Sequence, residues 1–571
     1  MKTKALYLTA VLGMVLGLSS CNLDYFPSDE MNSEALLQDV KGAEYIMNGC
    51  YALLKDEVEF LGYASGNCYA RHYFQLTEFP GDNICLSAHT TDPLYEATTY
   101  TMNDGLKNVG TLWMVGYKII YMTNQVLETL DASKPENNQL LGEAYFMRGM
   151  MHLHMVTLYA KPYSHGRDNL GVPLRTSCGA GTITRASVGE VYDQIAADLR
   201  KAADLMGKSR GDAGYPCKEA ALGLLSRVYL YMEEYDKCIA AVDEALNGAT
   251  PASKLEPQAT FSTYFRNART SKETLFCIAH ETTDDRGQSS IGSMYLKDGI
   301  GWGEIYPSDP LKYLYERYPS DIRYTDFLVP QYKAGSNDLY VYYPDPESIG
   351  PEQGSVLLKA KLTDDGSGNY TYKSGGATKN VEKRKVNGEG KADASGEYYE
   401  YFVNEGGKDL MCRVSKEMVL RTGFSYPMIF VNKFSYQDGN PMLSSPVLCR
   451  WAEVILNRAE AYAKTGKDAQ ALDDVNVIRD RAGIPAAGMF AVGNLHGYDN
   501  VTNVVLDERR MELAFEGHRT FDVYRNKLNM DRQYPGAQFW KVHKWDEEQH
   551  IVYPIPNNEW TVSGIQQNPG Y

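Results

Sequence analysis

The chain has 571 residues, with 57 lysines and arginines against 73 aspartates and glutamates for a formal charge of −16, and 43% of its residues are hydrophobic. That length accommodates several cores or one elaborate one, the hydrophobic fraction excludes global disorder, and the acidic balance leaves no electrostatic footprint for nucleic acid. Tyrosines number 43 against 17 phenylalanines and 6 tryptophans. Their rings pair an apolar face with a hydroxyl and suit a half-wet binding surface, although most of so many must simply be packed.

Residues 1–20 read as a secretory leader. Lys2 and Lys4 precede an apolar stretch from Ala5 to Leu18, shorter than the roughly 20 residues of a membrane-spanning helix. In Leu18-Ser19-Ser20-Cys21 a cysteine directly follows small residues, which resembles the lipobox of bacterial lipoproteins. That resemblance implies that Cys21 carries the lipid, whose acyl chains add about 0.8 kcal/mol of membrane affinity per buried CH₂. Residues 21–34, with Pro27, then serve as a tether. No second apolar stretch of about 18 residues follows, so the mature protein is expected to be tethered and not spanning. Of the ten cysteines, Cys21 is taken by lipid and the remainder cannot all pair. The absence of any C-x-x-C removes zinc-ribbon and thioredoxin-like readings. Cys50, Cys68 and Cys85 are near enough in sequence for one bridge, or are small buried hydrophobes.

Helix-period patterning dominates both ends of the chain. Trp113 to Leu130 with Leu140 to Tyr159 forms a loose hairpin, and Val188 to Met206 leads into the clearest one, Pro216 to Leu246. There Ala221, Leu224, Leu225, Val228 and Met232 recur at three- and four-residue steps, the turn Glu233-Glu234-Tyr235-Asp236 follows, and Cys238, Val242 and Ala245 make the return. A further copy spans Trp451 to Arg481, with Ala452, Ile455, Ala459 and Tyr462 going out and Ala471, Val475 and Ile478 coming back. Each is a helical hairpin of about thirty residues, the size of a tetratricopeptide unit. The expected framework is a mainly α, short helical solenoid whose repeats are not contiguous in sequence.

Between about 281 and 445 helix periodicity fades. Short aromatic runs such as Tyr340-Val341-Tyr342-Tyr343 and Tyr398-Tyr399-Glu400-Tyr401-Phe402 alternate with turn-rich pieces, which predicts an ordered, loop-rich lobe with small strands. Lys379 to Lys391 reads as a solvated loop. Asp364-Asp365-Gly366-Ser367-Gly368-Asn369 has the oxygens of a weak structural calcium loop without the acidic spacing of a known motif, and is read as a solvated turn. No other cofactor or metal is expected.

Two tempting chemistries fail on geometry. His152 and His154 lie two apart on a helix, about 200° around its axis, and cannot chelate one metal together. Gly207-Lys208-Ser209-Arg210-Gly211 fits a hydrolase elbow in letters only, because it follows a helix where an elbow needs a strand. Glu508, Glu512 and Glu516 are four apart, a spacing that could present carboxylates to a glycosidic bond. With Arg509, Arg510, Arg519 and Asp522 so near, they are expected to form an internal ion network instead.

Several motifs together resemble one family. They are Arg450-Trp451-Ala452-Glu453 continuing through Ala461, Asn476 through Gly483, Glu508 through Arg519 with Asp522, Tyr553-Pro554-Ile555-Pro556, and the closing Gln567-Asn568-Pro569-Gly570-Tyr571. Upstream, Gly81-Asp82-Asn83, Trp113 to Asn124 and Glu143 to Arg148 are similar in kind. With the Cys21 lipobox, these identify the chain as resembling the SusD/RagB outer-membrane lipoproteins over essentially its whole mature length. The resemblance implies one SusD-like domain over 35–571, with four tetratricopeptide-like hairpins as scaffold (about 35–280 and 446–571) and a variable lobe (about 281–445). It also implies a non-catalytic, surface-exposed, lipid-anchored outer-membrane protein that captures oligosaccharides for a partner SusC-type TonB-dependent transporter. RagB-like members of the family bind peptides, so peptide capture is the alternative. A purely structural solenoid and an anchored glycoside hydrolase are the rivals from other classes.

Sugar binding asks for flat apolar faces and a few groups that bond hydroxyls. Met294 to Tyr306 supplies this mixture, with Trp302 between glycines as the leading candidate and Tyr295 and Tyr306 beside it. The loop from Leu94 to Asn103 is the second source, offering Tyr95, Tyr100 and Asn103, with Arg71 and Asp82 upstream. The resemblance implies that the ligand site lies where this loop and the lobe meet.

Overall fold

The computed structural model describes residues 40–571 apart from 61–62, 66–68, 88–89, 91–93, 180–182, 298–299, 386–390, 393–397 and 422–424. The leader, Cys21 and Cys68 lie outside the described residues. Helices α1 (Val40–Leu53), α2 (Tyr69–Glu78), α3 (Leu94–Thr99), α4 (Lys107–Thr129), α5 (Asn138–Tyr159), α6 (Val188–Leu205), α7 (Lys218–Tyr231) and α8 (Tyr235–Leu246) build the first part of the scaffold. From α4 to α8 each helix packs on the next in chain order.

Local sequence explains the boundaries. A capping box opens α6, with the Ser187 hydroxyl accepting from the Glu190 amide and the Glu190 carboxylate accepting from the Ser187 amide. Glu233, at φ +61°, turns the chain between α7 and α8, and Asn247 ends α8 in the left-handed region. The stripe read from sequence on α7 is buried from Ala221 to Val228 and meets buried Cys238, Val242 and Ala245 on α8. Each fully buried leucine of this kind contributes about 1.5–3 kcal/mol.

The scaffold resumes with α11 (Trp451–Lys464), α12 (Asp468–Arg481), α13 (Val501–Glu512) and α14 (Arg519–Arg525). α11 packs directly on α7 and α8, where buried Arg227 forks onto Glu453 at 2.6 and 2.7 Å. Two helical pairs more than 200 residues apart are thereby stacked as one solenoid. Strand β2 (Thr274–Cys277) pairs with β10 (Val447–Arg450), and the Ile278 amide bonds the Pro446 carbonyl at 2.9 Å. The lobe therefore leaves and re-enters the scaffold through adjacent strands.

Within the lobe lie β3 (Ile305–Pro307), α9 (Asp309–Glu316), α10 (Ile322–Phe327) and six longer strands: β4 (Leu339–Pro344), β5 (Leu357–Asp364), β6 (Tyr370–Ser374), β7 (Ala377–Lys385), β8 (Tyr398–Glu405) and β9 (Lys408–Lys416). Their antiparallel pairings run β7-β6-β5-β4-β9-β8 and close through a β7–β8 contact in which Glu382 faces Phe402. The small strands expected from sequence are thus a closed six-stranded ring, which hides its edges. Its interior holds Val341, Tyr343, Leu362, Tyr372, Val381, Val403, Leu410 and Cys412. On β4, Tyr340 and Tyr342 point the other way and pack against the scaffold core, so the aromatic run divides between two cores by strand alternation.

The lysine-rich piece is a correction. Ala377 to Lys385 is strand, not loop; only Val381 is buried along it, so its charged side chains stay solvated while the backbone pairs. Asp364 to Asn369 forms the β5–β6 turn, where the Asp365 carboxylate accepts from Ser367, from the Asn369 amide and from the Asn369 side chain. Among the described residues no three His, Cys, Asp or Glu side chains gather as metal ligands. Cys50 and Cys85 are unpaired and buried, and burial pushes both thiols up to about 12.

The glutamates of the C-terminal motif do form an ion network, with partners the sequence did not indicate. α13 stops at Glu512, and Phe515 and Gly517 take positive φ, yet Glu508, Glu512 and Glu516 converge on one buried cluster of cations. Arg450 reaches Glu512 at 2.6 Å, Glu273 at 2.8 Å and Glu516 at 2.7 Å. Arg323 and Arg479 hold Glu508 at 2.6 and 2.9 Å, Arg481 pairs with Glu512, and Lys433 reaches Glu516 at 2.8 Å. The expected partners are used elsewhere: Arg509 binds Asp522 at 3.0 Å, while Arg510 and Arg519 bind Asp82 at 3.3 and 2.6 Å. Charges this deep are stable only when paired and hydrogen-bonded.

Candidate functional site

The two segments singled out for ligand binding are linked indirectly, through Leu86 and Ala537. Strand β1 (Ile84–Leu86) pairs antiparallel with β3, Leu86 opposite Ile305, and the Ser87 amide extends the ladder to the Glu304 carbonyl at 3.0 Å. The Ala537 amide bonds Leu86, and the Tyr95 hydroxyl donates to the Ala537 carbonyl at 3.3 Å. Helix α3, the ladder, the strap from Met294 to Glu304 and the segment around Ala537 thus form one neighbourhood.

Trp302 sits on that strap and is 46% exposed. Its backbone is held firmly. The amides of Trp302 and Gly303 both donate to the Ser293 carbonyl, at 2.7 and 2.9 Å, and Glu304 donates to Met294 at 2.8 Å. Arg421 donates to the carbonyls of Trp302 and Gly303 at 3.1 and 2.7 Å and pairs with Glu304 at 2.7 Å. Gln288 holds the Ile300 carbonyl at 2.9 Å. The flanking glycines are steric requirements: a Cβ on Gly301 would lie 2.0 Å from the Leu296 carbonyl, and one on Gly303, at φ +55°, 2.8 Å from Lys297. The result is an indole presented to solvent from a rigid backbone, beside exposed Ile300.

The other candidates divide by burial. Tyr295 is interior, stacked on Phe434 with centroids 5.6 Å apart. Tyr306 is buried in a cluster with Cys85, Tyr426 and Tyr534, and burial raises its hydroxyl pKa. Tyr100, at φ +59°, is buried too; its hydroxyl meets the Pro80 carbonyl and the Tyr524 hydroxyl, each at 2.7 Å, and its ring stacks on His543 at 3.8 Å. Arg71 is buried on α2 with its guanidinium 3.9 Å from the Met294 sulfur, which supports the strap from below. Asp82 is also buried. Burial alone would raise its pKa, but Arg510 and Arg519 outweigh it and hold the carboxyl well below the usual range. Asn103 is exposed and closes its own turn, donating to Glu96 at 2.7 Å and accepting from Gly105 at 3.0 Å. Trp302, Asn103 and half-buried Tyr95 are therefore the members within reach of a solvent-borne ligand.

Sequence reading missed Arg421, which lies 119 residues from Trp302 in a segment with no marker of function. It also missed a cleft of about 530 Å³ between barrel and scaffold, lined by Asp82 together with Trp540, Phe402 and Gln533. Aromatic residues in the irregular stretch Gln538-Phe539-Trp540 were the available signal.

A solenoid of helical hairpins interrupted once by a barrel-bearing lobe defines a helical-repeat protein with an inserted β-barrel. The chain belongs to the SusD family, whose model matches residues 272–571; residues 54–230 match a second model, described as "Starch-binding associating with outer membrane". The sequence is 23% identical over 589 residues to SusD-like protein P2 of Formosa agariphila, covering 99% of each chain. It is 22% identical to SusD-like protein P38 of the same organism, covering 92% of each. Among solved structures it resembles a SusD superfamily protein from Bacteroides thetaiotaomicron, with TM-score 0.69 and 20% identity over 92% of this chain and 99% of that one. It also resembles a putative sugar binding protein from Bacteroides vulgatus, with TM-score 0.65 and 23% identity over 93% and 98%. The fold implied by the motifs is thereby established.

Proposed function

We propose that this protein is a lipid-anchored outer-membrane receptor, exposed at the cell surface, that captures oligosaccharides and hands them to a SusC-type TonB-dependent transporter. Family membership supports this reading, as does the match to a model described as starch-binding and outer-membrane-associated. So does the structural likeness to a putative sugar binding protein, and the Leu18-Ser19-Ser20-Cys21 sequence supports the anchor. The observation that carries the proposal is Trp302, a large apolar ring exposed to water on a backbone hydrogen-bonded to Ser293 and Arg421. Such a ring supplies the flat face on which sugar C–H groups stack. No bond chemistry is needed. The carboxylates that could have served a hydrolase, Glu508, Glu512 and Glu516, are buried and committed to arginine and lysine partners.

The test is binding of the purified chain to plant, host and microbial glycans alongside protein digests, repeated with Trp302→Ala. Truncation should remove about 1–3 kcal/mol of apolar and ring contact, an affinity loss of about five- to 150-fold, with the melting temperature unchanged. Glycan binding that ignores the substitution would retain the function and reject the site. Binding of digest peptides alone would replace the function with peptide capture.

A further inference from the structure

Helix α4 carries Trp113, Tyr117 and Tyr121 at four-residue steps, which places all three on one face. The rings of the first two lie 4.8 Å apart. Trp113 is buried and Tyr117 half-buried, but the stripe runs out into solvent, where Tyr121 is 48% exposed. Facing it are the segment from Pro173 to Ser177, Ile183, and the C-terminal piece that holds helix α15 (Asn557–Ser563) and Ile565. These walls enclose a pocket of about 290 Å³, close to the roughly 300 Å³ at which small-ligand sites begin. It has room for one ring or a branched chain and not for an oligomer. All of its walls come from the scaffold, and none from the lobe that carries Trp302.

Most polar groups of the lining are already committed. The Tyr117 hydroxyl donates to the Pro173 carbonyl at 2.9 Å. Asn124 donates to the Arg175 carbonyl at 3.2 Å and accepts from Arg148 at 2.9 Å, and Arg148 is itself paired with Asp198 at 2.6 Å. Two charges remain. Glu559 is half-buried and accepts from the Asn558 side chain at 3.3 Å; burial raises its pKa, and the Trp113 indole is the one group that counters the rise. Arg175, also half-buried, donates to the Gly179 carbonyl at 2.8 Å. Among the described residues neither has an ion-pair partner, and although they line one pocket they lie too far apart to pair with each other.

The charges around the pocket are few. Arg185, behind the wall, donates to the carbonyls of Gly171, Gln566, Tyr159 and Leu170 at 2.6 to 3.2 Å. It reaches the pocket through its field, which the Tyr117 hydroxyl feels together with those of Glu559 and Arg175. Glu128, further along α4, is taken by the Cys178 amide at 2.8 Å. Exposed Lys118 lies about 100° around the helix from Tyr117. An apolar pocket whose one carboxylate and one guanidinium cannot meet is complementary to a small ligand that carries both charges on an apolar body. Its ammonium gains from the aromatic faces beside Glu559, and its carboxylate from Arg175 with Arg185 behind it.

We propose that this pocket binds a free apolar amino acid, with the ammonium on Glu559, the carboxylate on Arg175 and the side chain among Trp113, Tyr117 and Tyr121. The site is separate from the Trp302 strap and does not depend on what that strap captures.

The experiment is calorimetry and ligand-observed NMR on the full-length protein in detergent, with L-phenylalanine and L-leucine as probes. Three analogues dissect the site: N-acetyl-L-phenylalanine lacks the ammonium, L-phenylalaninamide lacks the carboxylate, and L-serine keeps both charges without the apolar body. Phenylalanine and leucine should bind, and each analogue should bind at least about tenfold more weakly than phenylalanine. Glu559→Gln should erase the preference over the N-acetyl compound and Arg175→Gln the preference over the amide, while Trp302→Ala leaves every affinity in the series where it was. A wild-type protein that binds neither amino acid would overturn the site, as would equal affinity for the charged-group analogues. Those comparisons are made on the wild type and hold even where a variant fails to fold. Phenylalanine binding that both variants leave unchanged, at an unchanged melting temperature, would overturn it as well.

Discussion

Scaffold and barrel hold their charges in opposite ways. In the scaffold, Arg450 and Arg509, joined by Arg323 from the lobe helix α10, are among the most deeply buried large side chains of the molecule, and each is paired with carboxylates that are buried too. In the barrel, pairs such as Lys361 with Asp338 and Arg384 with Asp409 lie on the outside, and the interior is almost wholly apolar. The scaffold is thus specified by directional contacts that tolerate few neighbours, whereas the barrel is specified by alternation and closure and leaves its outer surface free to vary. A fold that separates the two requirements can change its ligand surface without touching the network that stacks its helices.

The largest effect should come from breaking the scaffold side of this contrast. Burial alone would raise the Glu512 pKa, but Arg481, Arg450 and Arg323 outweigh it and hold the carboxyl well below the usual range. Glu512→Gln leaves those guanidiniums short of a counter-charge and is expected to cost about 3–5 kcal/mol of unfolding free energy in a denaturant titration. A loss under about 1 kcal/mol would mean that water or neighbouring acids replace it.

Glu78 sharpens the same contrast, because it is a buried carboxyl on which the one cationic influence, from Lys433, is weaker than its hydrogen bonds. Burial is the leading influence and lifts it to about 7, despite hydrogen bonds from Gly517, Asn83 and Phe515. The folded chain therefore holds this proton more tightly than the unfolded chain does. Its contribution to stability is complete below the ordinary carboxylate value and is lost as pH rises to about 7. The melting temperature of Glu78→Gln should consequently fall less than that of wild type between about pH 4.5 and 7, and parallel curves would discard the assignment. Glu512 behaves in the opposite sense, since its contribution is lost only as pH falls through its depressed value.

On the lobe side, Gly301→Ala tests whether the strap is as rigid as its contacts require. The added methyl meets the Leu296 carbonyl, so about 1–3 kcal/mol of strain should appear, and the loss of glycan affinity should match that of Trp302→Ala. Unchanged affinity would show that the indole finds its ligand from a displaced backbone.

What was legible in the sequence follows the same division. Ala221, Leu224, Leu225 and Val228 announced their helix because helical burial repeats every three to four residues, and they are buried as that pattern requires. The glutamates of the C-terminal motif announced a network because acids and bases alternate there, but not its partners, since Arg323 lies 185 residues from Glu508. Barrel closure was hidden for the same reason: β7 and β8 are neighbours in sequence, but the ring is completed by β4 pairing with β9. At the site, Tyr100, Tyr295 and Tyr306 carried the same letter as a solvent-facing platform would, and only tertiary packing separates them from Trp302. The glycines on either side of Trp302 were the one local signal, and the approach of Leu296 and Lys297 gives their physical reason.

The smallest expected effect is the one that makes the contrast quantitative. Lys361 and Asp338 meet at 2.7 Å, closer than several pairs of the scaffold network, yet both side chains are about half exposed. Distance alone would rank this contact with Arg450–Glu512. Water solvates both partners equally well when they are apart, and ions screen them when they are together, so the net gain is near zero. Lys361→Ala should leave the unfolding midpoint where it is, at low and at high salt, while Glu512→Gln moves it by the largest amount of any single substitution proposed above. If Lys361→Ala instead destabilised the protein appreciably, and more at low salt than at high, the outer surface of the barrel would be contributing to its closure. The surface could then no longer be regarded as free to vary with the ligand.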